Sequence, residues 1–418
     1  MFFLSITSLI ETFLGVLEHL FFIKILYLCT KFEKMSGSAN DKVTIEKVKN
    51  KRMMDDFVRL PHRLYAHCPQ YVPDLDSDIR DTFNPRKNEG LEYSDIQAFV
   101  AYDETGLCVG RIAGIINRRA NEKWKAKNVR FGLIEFVDDM AVSKALIDAV
   151  AQWGKEHGMT HMQGPLGIFD FDKEGMLVED FDQMGSMVTI YNPPYYPQHM
   201  EALGFKKEVD WVQIRVDIPQ EIPQKYARVS KLCKEMFGLK VRKLTDREIY
   251  KQGYGKKIFD LLNVAYSPLF GYTEFTDKQI DSFVKRYVPL IDKRMMPVIE
   301  DDKGQLVGAA ITMGSLSHAL QKAHGRLFPF GWFHLLKALK WKHEDKAELL
   351  LIGVLPDYQG LGVNALFFND LIPIYKELGY TWAETGPQLE DNVRELSQWK
   401  PLAPRIVKRR RCYTKALG

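Results

Sequence analysis

The run Leu350-Leu351-Ile352-Gly353-Val354 constrains this chain more than any other segment. It is an apolar stretch that stops at Pro356 and passes through Gln359-Gly360-Leu361-Gly362-Val363-Asn364. Beyond that turn, Ala365, Leu366, Phe368, Leu371 and Ile372 continue at helical spacing. A buried strand, a tight turn and an amphipathic helix fit such a pattern. The two turn glycines permit backbone torsions that a Cβ penalises. The first turn of the helix has unpaired N–H groups and the positive end of the dipole, so it suits an anion such as a diphosphate.

Strand and helix patterns alternate from Val43 onward, which predicts an α/β or α+β class with a central mixed sheet flanked by helices. Strands are expected at 43–48, 98–102, 108–117, 130–137, 161–166 and 205–216, with helices at 52–66 and 141–157. The order then recurs. Strands are expected at 240–244, 297–300, 306–313, 348–355, 381–384 and 405–414, and helices at 250–265, 277–292, 360–378 and 391–399. A period near half the chain reads as duplication. The expected units are 43–218 and 225–418, with Pro219 and Pro223 in the linker between them.

Residues 1–42 stand apart as an apolar segment and linker. Glu11, Glu18 and Lys24 interrupt Met1 to Thr30, so no run reaches the ~18 uncharged residues of a membrane span. Ser5, Ser8, Glu11, Thr12, Gly15, Glu18 and His19 make one polar stripe, as on a helix that lies on a membrane or docks on protein. The alternative is translation from Met35.

The 418 residues are 46% hydrophobic and 27% charged, which fits a globular chain of two or three domains. A net charge of +4 is too small to argue nucleic-acid binding. Five scattered cysteines without a C-x-x-C pair fit a reducing cytoplasm, and no spacing suits a metal.

Gln359-Gly360-Leu361-Gly362-Val363-Asn364, preceded by Val354-Leu355-Pro356, resembles the Q/R-x-x-G-x-G/A signature of the GNAT superfamily of acyl-CoA-dependent N-acyltransferases. The resemblance implies that the loop amides hold the coenzyme A diphosphate, with acetyl-CoA or a longer acyl-CoA as co-substrate and an amine as acceptor. The implied coenzyme-binding set is Ile352, Val354, Gln359, Gly360, Leu361, Gly362, Val363, Asn364 and Asn392, with the Ile352 amide on the thioester carbonyl. Asn364 departs from the usual Gly or Ala. The first half resembles the same plan without the loop: Phe136-Val137-Asp138-Asp139-Met140-Ala141 puts two carboxylates where a diphosphate would sit, so this copy is read as degenerate.

The resemblance also implies a carboxylate base six residues before the final Val of the strand, which is Glu348. The plain reading of Glu348 is a charge at a solvated strand start. Glu390-x-Asn392 resembles the start of the next helix in the family, and Asn392 is equally a good N-cap. The family's tyrosine acid falls on Trp399, which cannot donate in that role. Tyr413 on the last strand or Tyr358 in the loop would be substitutes, or the thiolate leaves unassisted, since its pKa is about 8.5.

Ser315 to Lys346 interrupts the plan with Leu327, Phe328, Phe330, Trp332, Phe333, Leu335, Leu336, Leu339 and Trp341, beside Lys337, Lys340 and Lys342. It is expected to pack between the halves; a channel for a long acyl chain and a membrane contact are the alternatives. Lys408-Arg409-Arg410-Arg411 reads as a solvated strand edge, with a coenzyme 3′-phosphate, an anionic lipid or an acidic partner as the alternatives. The expected activity is acyl transfer to an amine, in the cytoplasm or at the inner membrane face. A non-catalytic acyl-CoA-binding protein and a membrane-surface long-chain acyltransferase are the alternatives.

Overall fold

A computed structural model describes residues 43–418. The expectations for residues 1–34 lie outside them. Fourteen strands among the described residues join into one mixed sheet. Seven come from the first half: β1 (Thr44–Lys47), β2 (Ser94–Tyr102), β3 (Cys108–Asn117), β4 (Asn128–Phe136), β5 (His161–Gly164), β6 (Met176–Glu179) and β7 (Lys206–Asp217). Seven come from the second: β8 (Lys240–Lys243), β9 (Pro297–Glu300), β10 (Leu306–Gly314), β11 (Lys346–Val354), β12 (Trp382–Thr385), β13 (Gln388–Leu389) and β14 (Arg405–Ala416).

The spatial order is β1-β2-β3-β4-β5-β14-β7-β12-β11-β10-β9-β8, with β6 on β14 and β13 on β7. The two halves therefore exchange their last strands. β14 runs antiparallel to β5, with Tyr413 opposite Gly164, and β7 runs antiparallel to β12, with Ala383 opposite Val216. β7 and β14 pair with each other from Arg405↔Arg215 to Thr414↔Lys206.

This exchange corrects the reading of the basic run. β14 is a central strand, and Lys408 and Arg410 are each only 1% exposed. Lys408 donates to Glu384 of β12. Arg410 Nε donates to Gln213 Oε1 at 2.9 Å, Arg411 pairs with Asp210 at 2.8 Å, and Arg409 pairs with Glu390 at 2.6 Å. The charges are internal partners that tie the halves together, consistent with buried charges being paired.

Each half has its own core. Phe131, Phe136, Leu146, Trp153, Tyr196 and Tyr413 fill the first, under the helix Met140–Glu156. Tyr226, Leu366, Phe367, Leu371, Ala383 and Trp399 fill the second, under the helices Gln224–Phe237 and Asn364–Glu377. The sequence pattern missed Gln224–Phe237. The expected 250–265 helix is two, Asp246–Lys251 and Tyr254–Tyr266, broken at Gly253 with φ +76°. No helix among the described residues is long and apolar enough to cross a membrane.

Candidate active site

The loop after β11 is built as an open cradle. Gly360 and Gly362 have φ +82° and +83°, so the helix begins at Asn364 and not at Gly360. A Cβ on Gly362 would come within 2.4 Å of Val229 Cγ1, because the helix Gln224–Phe237 packs against the turn. Gln359 Nε2 donates to the Val354 carbonyl at 2.9 Å and ties the loop to the strand end. The helix has no side-chain cap, and no backbone carbonyl accepts from the amides of residues 361 to 364. Such amides at a helix N-terminus are free for an anion. Gln359, Gly360, Gly362, Val363 and Asn364 line a cavity of about 1830 Å3, while Leu361 turns outward.

The cavity opens because β11 and β12 part. Their parallel pairing runs from Lys346↔Trp382 to Leu349↔Thr385 and then stops. A bulge in the β10–β11 register falls at the same level, between Ile311 and Thr312. Bulges bend a strand and re-aim its side chains. Beyond the bulge, the Ile352 amide donates to the Tyr266 hydroxyl at 3.2 Å, and that hydroxyl donates to the Ile352 carbonyl at 2.9 Å. The amide expected to meet a thioester carbonyl is thus occupied by a phenol oxygen, whose own proton goes to the Ile352 carbonyl.

Asn392 caps the short helix Val393–Ser397 by accepting from the Glu395 amide at 3.3 Å, and it also lines the cavity. Glu395 stands beside it, half-buried, and accepts from Gln388 Nε2 at 3.1 Å. Burial pushes the Glu395 carboxyl up to about 7, against a weaker downward pull from the Gln398 hydrogen bond. Burial also pushes the Tyr266 phenol up, and the charge of Glu395 adds to it. Glu395 and Tyr266 therefore act on each other within the opening.

The other candidates sit apart. Glu348 is 2% exposed and lies off the cavity wall. Its Oε1 is 3.5 Å from both Lys346 Nζ and Ser317 Oγ, and its Oε2 is buried without a partner. Lys346 is shared with Glu384 at 2.7 Å. Tyr413 belongs to the core of the first half, where its hydroxyl meets Glu201 Oε1 at 3.4 Å, so it is not brought to the loop. Trp399 is packed on Phe368, with its indole N–H donating to Gln388 Oε1 at 3.1 Å.

No family model matches the chain. It is 29% identical over 323 residues to a protein named bacterial ceramide synthase from Caulobacter vibrioides, covering 77% of this chain and 83% of that protein. It is 28% identical over 316 residues to protein YghO of Escherichia coli, covering 74% and 78%. Among solved structures it matches a tandem GNAT protein from the clavulanic acid biosynthesis pathway, with a TM-score of 0.53 and 12% identity over 90% of this chain and 99% of that one. A GCN5-related glucosamine N-acetyltransferase region of a fungal multi-domain enzyme gives 0.52 and 14% over 90% of this chain and 38% of that one. The chain has a GNAT-like fold.

Within that GNAT-like frame the two halves differ at the loop. In the first half, the Asp139 carboxylate accepts from the Ala141 amide at 2.7 Å, so the chain's own anion already holds the helix start. Glu135 is buried and accepts from Tyr65 at 2.5 Å and Tyr196 at 2.8 Å. The first half is closed here where the second is open.

The first half nevertheless contributes to the cavity wall. Asp170, Asp172 and Glu174, on the loop between β5 and β6, line it. Burial pushes all three carboxyls up, Asp172 to about 6 even though the Ile168 and Phe169 amides donate to it. Arg130 is the cation that pulls on all three. Neither this loop nor Tyr266 and Glu395 was singled out from sequence. The run Asp170-Phe171-Asp172-Lys173-Glu174 was the available signal.

Proposed function

We propose that the protein transfers an acyl group from acyl-CoA to an amine. The observation that carries this is the open cradle of amides at residues 361 to 364, joined by one cavity to the parted strands and to Glu395. The amides and the helix dipole would bind the diphosphate of the donor. The Ile352 amide, on exchanging the Tyr266 oxygen for the thioester carbonyl, would polarise it, the kind of fixed dipole that stabilises a developing oxyanion. Glu395 would take the proton of the ammonium, since a base near neutrality is well matched to that step. The amine nitrogen then bonds to the carbonyl carbon, the carbon–sulfur bond breaks, and the departing thiolate takes up the second nitrogen proton and leaves as the free thiol.

Asp170, Asp172 and Glu174 suit a cationic acceptor, because a cation bound there would favour the charged form of acids that burial pushes up. The size of the cavity supports a long acyl group. Its about 1830 Å3 exceeds the ~300–1,000 Å3 of ordinary ligand pockets. Leu316, Leu320, Leu335 and Leu339 line an apolar branch. A relative named ceramide synthase points the same way, since a ceramide is a long-chain amide.

A non-catalytic acyl-CoA-binding protein is the second reading, favoured by Trp399 in place of a proton donor. Release of free thiol separates the two. Acyl-CoA donors of increasing chain length are supplied with a panel of amines, and thiol is followed with a chromogenic disulfide. The enzyme gives amine-dependent thiol, rising with chain length. Tight acyl-CoA binding in calorimetry with no thiol release under any pairing would leave only the binder.

A further inference from the structure

The insertion between β10 and β11 folds as two helices, Ser317–Ala323 and Gly331–Lys340. Its leucines turn inward to the cavity, but its aromatic residues do not pack between the halves as their spacing suggested. Phe328 is 79% exposed, Phe330 73% and Trp341 65%, and Trp332 and Phe333 are also exposed. Their ring contacts are mainly with one another: Trp332 with Phe333 at 6.1 Å and Phe333 with Trp341 at 6.3 Å. A cluster of this kind on a water-facing surface marks an interaction site.

The charge around it identifies the partner. From Ser315 to His343 there is no Asp or Glu, while Lys322, Arg326, Lys337, Lys340 and Lys342 are all present and exposed. Only Arg326 pairs with an acid among the described residues, with Asp76 at 3.2 Å. A second copy of the chain, meeting this face by a two-fold, would set these cations against themselves. An anionic bilayer meets both features at once: aromatic rings enter the boundary of headgroups and acyl chains, and lysines reach the phosphates.

We propose that the aromatic tip formed by Phe328, Phe330, Trp332, Phe333 and Trp341 docks the protein on an anionic membrane surface. The docked face is the outer side of the same helices whose leucines line the apolar branch, so the cavity lies directly behind the bilayer contact. Docking does not depend on the acyl-transfer reading.

The test uses the full chain with vesicles of phosphatidylglycerol and phosphatidylcholine, against phosphatidylcholine alone. The protein is expected to float with the anionic vesicles, and about 1 M salt, where the screening length is ~3 Å, weakens this. F328S/F330S/W332S lowers the partition by on the order of a hundredfold, because three rings no longer leave water, and keeps the wild-type circular dichroism. Brominated acyl chains quench wild-type tryptophan emission, and W332F/W341F removes that quenching. Absence of flotation with anionic vesicles overturns the proposal. So does quenching that persists in W332F/W341F, which would place the contact near another tryptophan, such as the exposed Trp124. A lipid-free oligomer that dissociates in F328S/F330S/W332S would assign the face to a second copy and also overturn it.

Discussion

Glu395→Gln tests the assignment of the base by two readouts that move in opposite directions. With its carboxyl at about 7, about a tenth of Glu395 is ionised at pH 6 and about nine-tenths at pH 8. Wild-type turnover with saturating substrates should therefore rise about tenfold across that interval. Glu395→Gln should lose ~10²- to 10⁴-fold of the rate, the usual contribution of a general base, and flatten the rise. Stability should respond the other way. An acid whose folded pKa is raised binds its proton more tightly folded than unfolded. Below the ordinary glutamate range of ~4.3 both states are protonated and nothing is lost. From there to about 7 the folded state is progressively penalised, and above 7 the penalty is complete. At 1.36 kcal/mol per pKa unit it reaches roughly 4 kcal/mol as an upper bound. Glutamine keeps an oxygen for the Gln388 amide and carries no charge, so the variant should melt higher than wild type at pH 8 and level with it at pH 4. Glu348→Gln is the control. It should leave the pH slope in place. A Glu395→Gln protein with wild-type turnover and slope refutes the assignment, and a slope lost in Glu348→Gln transfers the role to Glu348.

Three further substitutions probe the cradle, the wall and the seam. Gly362→Ala sets a Cβ at 2.4 Å from Val229 with φ at +83°, which costs ~1–2 kcal/mol in torsion and ~1–3 in overpacking. Its coenzyme A affinity in calorimetry should fall at least about tenfold, the equivalent of ~1.4 kcal/mol, and more than that of Gly360→Ala, whose Cβ meets nothing within 4 Å. Asp170→Asn should raise the KM for the amine about tenfold, a ~1.4 kcal/mol effect, with coenzyme A affinity unchanged; an equal loss of both would place Asp170 outside the acceptor site. Lys408→Met removes one of the two lysines on Glu384, so urea unfolding should show a loss near the low end of the ~3–5 kcal/mol for a broken buried pair, since Lys346 remains at 2.7 Å.

The strand, the glycine turn and the helix of the second half were legible because they obey local rules: an apolar run, Pro356 as a stop, two glycines at positive φ and helical spacing after them. Cys108–Asn117 and Pro297–Glu300 were legible for the same reason. The remainder depends on contacts far apart in sequence. Nothing in Lys408-Arg409-Arg410-Arg411 announces that Glu384, Gln213, Asp210 and Glu390 wait on other strands, so a run of four cations read as a solvent edge. Glu395 carried no signal in the sequence, since only its burial beside the cavity raises its pKa. Glu348 followed from period-two spacing and family resemblance, but spacing alone does not say which face of β11 the cavity occupies. The insertion is the reverse case. Its apolar stripe suggested packing, yet the rings it shows to water are the ones a core would have taken.

The exchanged strands explain why a half without a diphosphate loop is still part of the molecule. β14 leaves the second half to pair with β5, and Tyr413 on it completes the core of the first. β7 leaves the first half to pair with β12, the strand whose separation from β11 opens the cavity. The first half therefore sets one side of the opening, and its loop between β5 and β6 brings Asp170, Asp172 and Glu174 to the wall. A cradle of bare amides favours the polyanionic donor, and a wall of carboxylates favours a cationic acceptor. One continuous sheet thus carries the amide cradle in its second half and the acidic loop in its first, and both line the cavity that the parted strands create.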